Sequence, residues 1–560
     1  MSLKDWKKKT IVYEVYIQSF KDSNNDGIGD INGLESKLDY IKELGANSIW
    51  ITPIFKSPLV DNGYDIEDYE SINPIYGTMS DFEKLLISAH KKNLKIILDL
   101  VVNHTSDKHK WFLESKKSKN NQYSDYYIWR DPKPDGTEPS NLGSAFGGSA
   151  WTYVAERKQY YLHLFSEQQP DLNWNNVKVR QSIYHMMKFW LDKGVDGFRM
   201  DSISLISKPE KFDNVPLENH QRYGAYYYNI SNGPHIHEYL QEMNSEVLSK
   251  YNIITIGETP HTTPEEAKRY VDPYRNELDM VFQFEHMHVD YGKFGRYSDV
   301  MYKLNDLRCA MNKWQEKLSW NTNYLGNHDQ PRIVSRFGND DKYRIKSAKV
   351  LAMMYILQKG TPFIFEGEEI GMTNLHITNI NELKDIEAHY NYNFFIDKHI
   401  SPEKALEMVN RKTRDNARTP MQWNFDRNSG FSDVKPWFDV NSNYKSINVK
   451  KDLQSSDSIY RFYQKLLQLR KEDSIMIDGE FRPLYINDSE IYAFIRELSG
   501  HKKLIVCSLC AYNKKFEVPK NVGNISKVIL SNYEKDIKDI NINDRMIYLK
   551  PYEGVVVSLD

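Results

Sequence analysis

Between Val195 and Ser204 the chain reads VDGFRMDSIS, an apolar run that closes on an arginine and an aspartate two residues apart. Residues two apart in a strand share a face, so Arg199 and Asp201 project together. Burying ionised groups costs several kcal/mol unless they are paired. An adjacent arginine favours the charged form of the aspartate, and an ionised, oriented carboxylate is what a nucleophile must be. Other apolar runs also carry acids near their ends: Asp99, ahead of Asn103 and His104, in LKIILDLVVNH, Glu258 in IITIGE, and Asp329 in TNYLGNHD. One such pair would suit an ion-pair network as well as a site. Acids at four strand ends point to carboxylate chemistry, with one group attacking and another moving protons.

Eight apolar runs must position these acids: Ile11–Ile17, Asn47–Ile54, Leu94–Val102, Val195–Asp201, Ile253–Glu258, Met280–Glu285, Thr322–Asp329 and Thr361–Glu369. Amphipathic stretches lie between them, among them Leu34–Leu44, Phe82–Lys91, Val179–Lys193 and Tyr343–Gln358. Alternation of this kind predicts an α/β fold, a (β/α)₈ barrel, whose chemistry sits at the C-terminal ends of the strands. The segment 104–168 is too long for a simple crossover and reads as a small inserted domain. A second insertion, Met372 to about Phe438, holds RKTRDNARTPMQW (Arg411–Trp423). After the helix Ile459–Arg470, strand-like runs follow without helices and predict a C-terminal antiparallel β-sandwich. The expected division is 1–103 and 169–480 for the barrel, 104–168 for the insertion and 481–560 for the all-β domain.

Composition bounds the partners. In 560 residues, 40% hydrophobic and 13% aromatic, there is material for sizeable cores. The net charge of −3 with mixed signs gives no reason to expect nucleic acid or an anionic membrane. No run of 18 apolar residues suggests a membrane span, and MSLKDWKKKTIVYEVY lacks the apolar core of a signal peptide. Cys309, Cys507 and Cys510 are too few for a zinc site and read as structural thiols in a reducing compartment. The expectation is a cytoplasmic protein, monomeric or weakly oligomeric.

DLVVNH (Asp99–His104), GFRMD (Gly197–Asp201), GE (Gly257–Glu258) and NHD (Asn327–Asp329) resemble the four short motifs of the α-amylase superfamily, glycoside hydrolase family 13. QPDLNW (Gln169–Trp174) resembles a fifth motif, of the oligo-1,6-glucosidase subgroup. The ordered set spans the chain from Ile11 onward. The resemblance implies that Asp201 is the nucleophile, Glu258 the general acid/base, and Asp329 a third acid gripping sugar hydroxyls. It implies that His104, His328 and Arg199 orient substrate and nucleophile, and that Tyr64, Asp65 and Arg418 close the −1 sugar subsite. Phe165 is expected against the sugar ring, and Asp99 behind it in a structural role. Retaining glycosidases hold their two carboxyl groups about 5–5.5 Å apart. Neighbouring strands about 4.8 Å apart can supply that spacing, so retention of the α configuration is expected.

DSNNDGIGD (Asp22–Asp30) offers oxygens at Asp22, Asn24, Asp26 and Asp30 around a glycine, with EF-hand-like spacing but no distal Glu. It resembles the calcium loop of this subgroup, in which the Ile28 carbonyl would also ligate; Ca²⁺ in a structural role is expected, with Mg²⁺ as the alternative ion.

Ser202, after the nucleophile, stands where the subgroup commonly has Val, on the side where the leaving group passes. FEHMHVDYG (Phe284–Gly292) replaces the RLDRD stretch of sucrose isomerases. The implied activity is exo-hydrolysis of short α-1,6-glucosides such as isomaltose. The alternatives are a trehalose-6-phosphate hydrolase, or an α-1,4- or sucrose-active glucosidase with transfer activity. A non-enzymatic transporter heavy chain shares the resemblance, but such chains carry a span and have usually lost the acids kept here.

Overall fold

The computed structural model describes residues 5–217, 222–533, 542–543 and 545–560. Eight short parallel strands form a nearly closed (β/α)₈ barrel: β1 (Val12–Val15), β2 (Ser48–Ile51), β3 (Lys95–Val101), β4 (Gly197–Asp201), β5 (Ile254–Glu258), β6 (Met280–Phe282), β7 (Thr322–Asn323) and β8 (Thr361–Phe365). Their order in the sheet is β6-β5-β4-β3-β2-β1-β8-β7. Strands covered on both faces read as continuous apolar runs. Thus every residue of β4 and β5 is buried, acids included.

By packing, the chain falls into two compact units. Among the described residues, one takes in 50–91 and 95–284; the other takes in 5–49, 92–94 and 285–560. In the first, register sets the acids side by side. Asp99 of β3 pairs with Arg199 of β4, and Val101 with Asp201. On the other edge of β4, Gly197 pairs with Ile254 and Met200 with Gly257, so Glu258 follows on the level of Asp201. Gly197 is required there, because a Cβ would collide with the Ile254 carbonyl oxygen. The insertion within 104–168 carries an antiparallel sheet of Trp129–Arg130, Gln159–Leu162 and Trp151–Val154. Ile128, Leu142, Trp151, Leu162 and Leu164 pack beneath it.

In the second unit β1 pairs with β8, Val12 opposite Phe363 and Glu14 opposite Phe365. The second insertion is a helical hairpin, Ile386–Asp397 and Pro402–Lys412, closed on Phe395, Ala405, Met408 and Val409. The C-terminal region forms a five-stranded and a three-stranded antiparallel sheet. Between them lies a core that includes Ile495, Leu504, Val506, Phe516, Ile547 and Val557.

Two details depart from the sequence reading. The helix expected at Leu34–Leu44 is two helices, Ile31–Glu35 and Leu38–Leu44. At the break the Ser36 hydroxyl donates to the Gly33 carbonyl, a local bond that competes with helix continuation. The seventh strand is only two residues long, so Asp329 sits in the loop beyond it rather than on the strand.

Candidate active site

In the first unit the centre is Arg199, buried at 1% exposure. Its Nη1 donates to Asp99 Oδ1 and to Asp201 Oδ1, both at 2.8 Å, and its Nη2 lies 2.8 Å from Glu258 Oε1. One guanidinium thus serves three carboxylates, using the planar fork that lysine lacks. The ring of Trp50 stacks at 5.0 Å and that of Tyr64 at 5.9 Å from its central carbon, cation–π contacts that hold the fork in place.

Asp201 and Glu258 keep 7% and 8% exposure, so both acids are nearly dry. Burial pushes Asp201 up to about 6; the Arg199 charge opposes this, Asp99 adds to it, and the neighbouring Glu258 works with Arg199 to lower it. The sequence reading had Arg199 decide the matter. In the structure desolvation is the larger influence, because Asp201 lies almost wholly out of water, and the Asp99 charge adds to it.

Ser202 holds the second acid. Its backbone N–H donates to Glu258 Oε2 at 2.8 Å and its hydroxyl lies 3.3 Å from the same oxygen. The backbone there is left-handed (φ 43°), sparsely populated for a residue with a side chain. That turn aims the amide back at Glu258.

Asp99 is the anchor behind the cluster. It accepts from Trp50 Nε1 at 3.1 Å and from the Tyr64 hydroxyl at 2.9 Å, besides Arg199. His104 is buried, its Nε2 2.9 Å from the Tyr64 carbonyl and 3.1 Å from Gln169 Nε2, and burial pulls it below its ordinary value. Phe165, half-buried, lies 5.1 Å from the His104 ring. Asp65 does not join this group. Its carboxylate, fully buried, accepts from the Ser57 hydroxyl and the amides of Val60 and Asp61, shaping that loop. Trp50 and Gln169 were missed as members; each stands in or beside a quoted motif, but nothing in the sequence says which way the side chain points.

The second unit carries its own charged cluster. Arg418 Nη2 donates to Asp329 Oδ1 at 2.8 Å, and Arg414 lies 3.6 Å from the same oxygen. Although burial pushes Asp329 up, the charges of His328, Arg414 and Arg418 hold it well below the usual carboxylate range. His328 stacks on Tyr16 at 6.3 Å and touches Glu14 of β1 at 2.6 Å. Glu14 was not picked out from sequence. Its signal was a lone acid in the apolar run IVYEVYI, which can serve as well at an ordinary surface.

At the Asp22–Asp30 loop, Asp22 Oδ1 accepts from the amides of Asn24 and Asn25, and Oδ2 from that of Gly27, which turns at φ 90°. Asn24 and Asp26 are exposed and curl onto the amides two residues ahead. Asp30 accepts from Ser23 and caps the helix beginning at Ile31. The loop is folded by these bonds; of the four side chains expected to ligate, Asp22 and Asp30 are buried and only Asn24 and Asp26 are exposed. Among the described residues, however, no three His, Cys, Asp or Glu side chains stand in a metal-holding group.

Residues 14–479 match the model of the alpha amylase catalytic domain. An oligo-1,6-glucosidase from Bacillus cereus is 50% identical over 563 residues, spanning 99% of this chain and 100% of that protein. Among solved structures, the trehalose-6-phosphate hydrolase of Bacillus licheniformis is similar with a TM-score of 0.93 and 44% identity, over 99% of this chain and 100% of that one. The isomaltulose synthase of Protaminobacter rubrum is similar with a TM-score of 0.95 and 40% identity, over 100% of both chains.

Proposed function

This chain belongs to the α-amylase family of glycoside hydrolases, and from that premise we propose a retaining, exo-acting α-glucosidase of the oligo-1,6-glucosidase type. Its substrates are short oligosaccharides such as isomaltose, from which it releases terminal α-1,6-linked glucose. The observation that carries this reading is the shared grip of Arg199 on Asp201 and Glu258, which stand side by side at the ends of neighbouring strands. Acids at the ends of adjacent strands suit a covalent double displacement, whose carboxyl groups stand about 5–5.5 Å apart, whereas an inverting pair stands about 6.5–9.5 Å apart to admit a water.

In the proposed cycle Asp201 attacks the anomeric carbon while Glu258 gives its proton to the departing glycosidic oxygen. Glu258 then takes a proton from water, which attacks the glucosyl-Asp201 ester and frees glucose with its α configuration kept. Asp329, with Arg418 and His328, takes the family's third-acid role of binding sugar hydroxyls. Ser202 acts on the leaving-group side, where its hydroxyl and amide address Glu258.

Oligo-1,6-glucosidase relatives at up to 50% identity support the α-1,6 preference. The 44% likeness to a trehalose-6-phosphate hydrolase favours that activity as the second reading. A panel of isomaltose, panose, maltose, sucrose, trehalose and trehalose 6-phosphate decides between them by kcat/KM. Isomaltose and panose should lead by at least about tenfold, roughly 1.4 kcal/mol of transition-state discrimination. A wide lead for trehalose 6-phosphate would overturn the linkage assignment.

The reading extends to a structural Ca²⁺ held by Asp22, Asn24, Asp26, the Ile28 carbonyl and Asp30, and to a monomer or weak oligomer acting in the cytoplasm. What supports the ion is the spacing of oxygen side chains in DSNNDGIGD; once bound, it would stabilise the folded chain by mass action. Adding millimolar Ca²⁺ to chelator-treated protein should raise Tm by a few degrees. Asp26→Asn should reduce that rise, and an unchanged Tm in wild type would remove the ion from the scheme.

A further inference from the structure

His328 sits between two carboxylates. Its Nδ1 lies 2.6 Å from Glu14 Oε1, and its backbone N–H donates to the same oxygen at 3.1 Å. On the far side of the ring, Nε2 is 3.3 Å from Asp329 Oδ2. A neutral imidazole has one N–H and one acceptor nitrogen. Placed between two ionised acceptors it can satisfy only one of them; both contacts become hydrogen bonds when the ring carries two protons. Ring and Glu14 are both buried, with exposures of 0% and 1%, so water does not substitute for the missing proton.

We propose that Glu14 is a positioning residue: by accepting from both nitrogen donors on its side of His328, it keeps that ring a doubly protonated donor toward Asp329. The proposal rests on the reading of Asp329 as the acid that grips sugar hydroxyls. A cationic His328 fixes the Asp329 carboxylate in charge and direction, together with Arg418 and Arg414. Electrostatics agrees in direction: burial works against the charged ring, but Asp329 and then Glu14 outweigh it and raise His328 to about 10.

The other charged groups around Glu14 come from the segment after β8 and from Arg332, just ahead of the helix Ile333–Phe337. Glu366 and Glu368, each pushed up first by burial, feel Glu14 as one of several neighbouring acids, Glu369 among them; Arg332 opposes both shifts. Glu366 accepts from the Tyr16 amide and Glu368 from the Tyr355 hydroxyl. Glu369 is engaged by the hydroxyls of Tyr13 and Tyr40. The acids seen to face the His328 ring are therefore Glu14 and Asp329.

Glu14→Gln in the full chain tests the idea, since it keeps an acceptor and the volume but removes the charge. Histidine-labelled protein is followed by NMR from pH 5 to about 10, with His328→Asn assigning the signal. Wild-type His328 should stay imidazolium to about pH 9, and in Glu14→Gln its midpoint should fall by at least about one unit. The variant's kcat/KM should gain a basic limb at that same midpoint, with kcat affected more than KM. Glu14→Asp, which restores the charge, should move both back toward wild type. A wild-type His328 midpoint near 6.5, or one unmoved in Glu14→Gln, would overturn the proposal. The NMR arm decides about Glu14 even if no α-glucoside is turned over, so the two readings fail separately.

Discussion

Replacing Asp201 with Asn should cut kcat on p-nitrophenyl α-glucoside by about 10⁴-fold or more while the protein stays folded. An amide is near enough in shape to keep the contact with Arg199 but cannot form the glucosyl ester. Wild-type kcat/KM should fall on the acid side with an apparent pKa near 6, a value that belongs to the Asp201–Glu258 pair rather than to one member. Residual activity of the variant should lack that limb.

Stability should move the other way. Asp201 titrates higher in the folded chain than in the unfolded one, so ionising it weakens the fold. That penalty is absent below about pH 4 and fully present above about pH 6. Asn removes it, so the variant should match wild type in Tm at low pH and equal or exceed it at pH 7. A variant with normal turnover would end the nucleophile assignment; one that had simply unfolded would show in the melting curve.

Arg199→Met carries the second large effect. It leaves Asp99, Asp201 and Glu258 in a dry pocket without their shared cation. Breaking a buried pair from one side costs about 3–5 kcal/mol, and here three partners are stranded. The expected result is a lowered denaturant midpoint together with loss of kcat by about 10³-fold or more. Since Arg199 gives the largest pull downward on Asp201, any remaining activity should show its acid limb at higher pH. Arg199→Lys should recover part of the stability but little of the rate, because one ammonium cannot span three carboxylates at 2.8 Å. Normal stability in Arg199→Met would contradict the central place given to this residue.

Much of this architecture was legible from periodicity. All eight apolar runs contain a barrel strand, and the strands after Arg470 form antiparallel sheets, although a short helix, Ser474–Asp478, precedes them. Strand ends were less legible, because residues past the last sheet bond can stay apolar: TNYLGNHD contributes only Thr322 and Asn323. Within the site, residues that share a strand were readable, and Arg199 does meet Asp201 as alternation requires. Contacts made across strands were not. The third acid of Arg199, the capture of Glu258 by the Ser202 amide and the grip of Glu14 on His328 depend on register and loop turns that no spacing rule encodes. Asp65 shows the opposite case, a residue beside a matched motif whose carboxylate serves its own loop.

The glycine at the foot of β4 has a consequence for anyone redesigning this protein. Since main chain meets main chain at Gly197, the distance between the stems of Asp201 and Glu258 is fixed by the backbone and does not relax when a side chain changes. Trimming Glu258 to aspartate would therefore open a gap of roughly one methylene, about 1.5 Å, between acid and nucleophile. The stereochemical course of the reaction is written as much in that missing methyl as in the acids themselves.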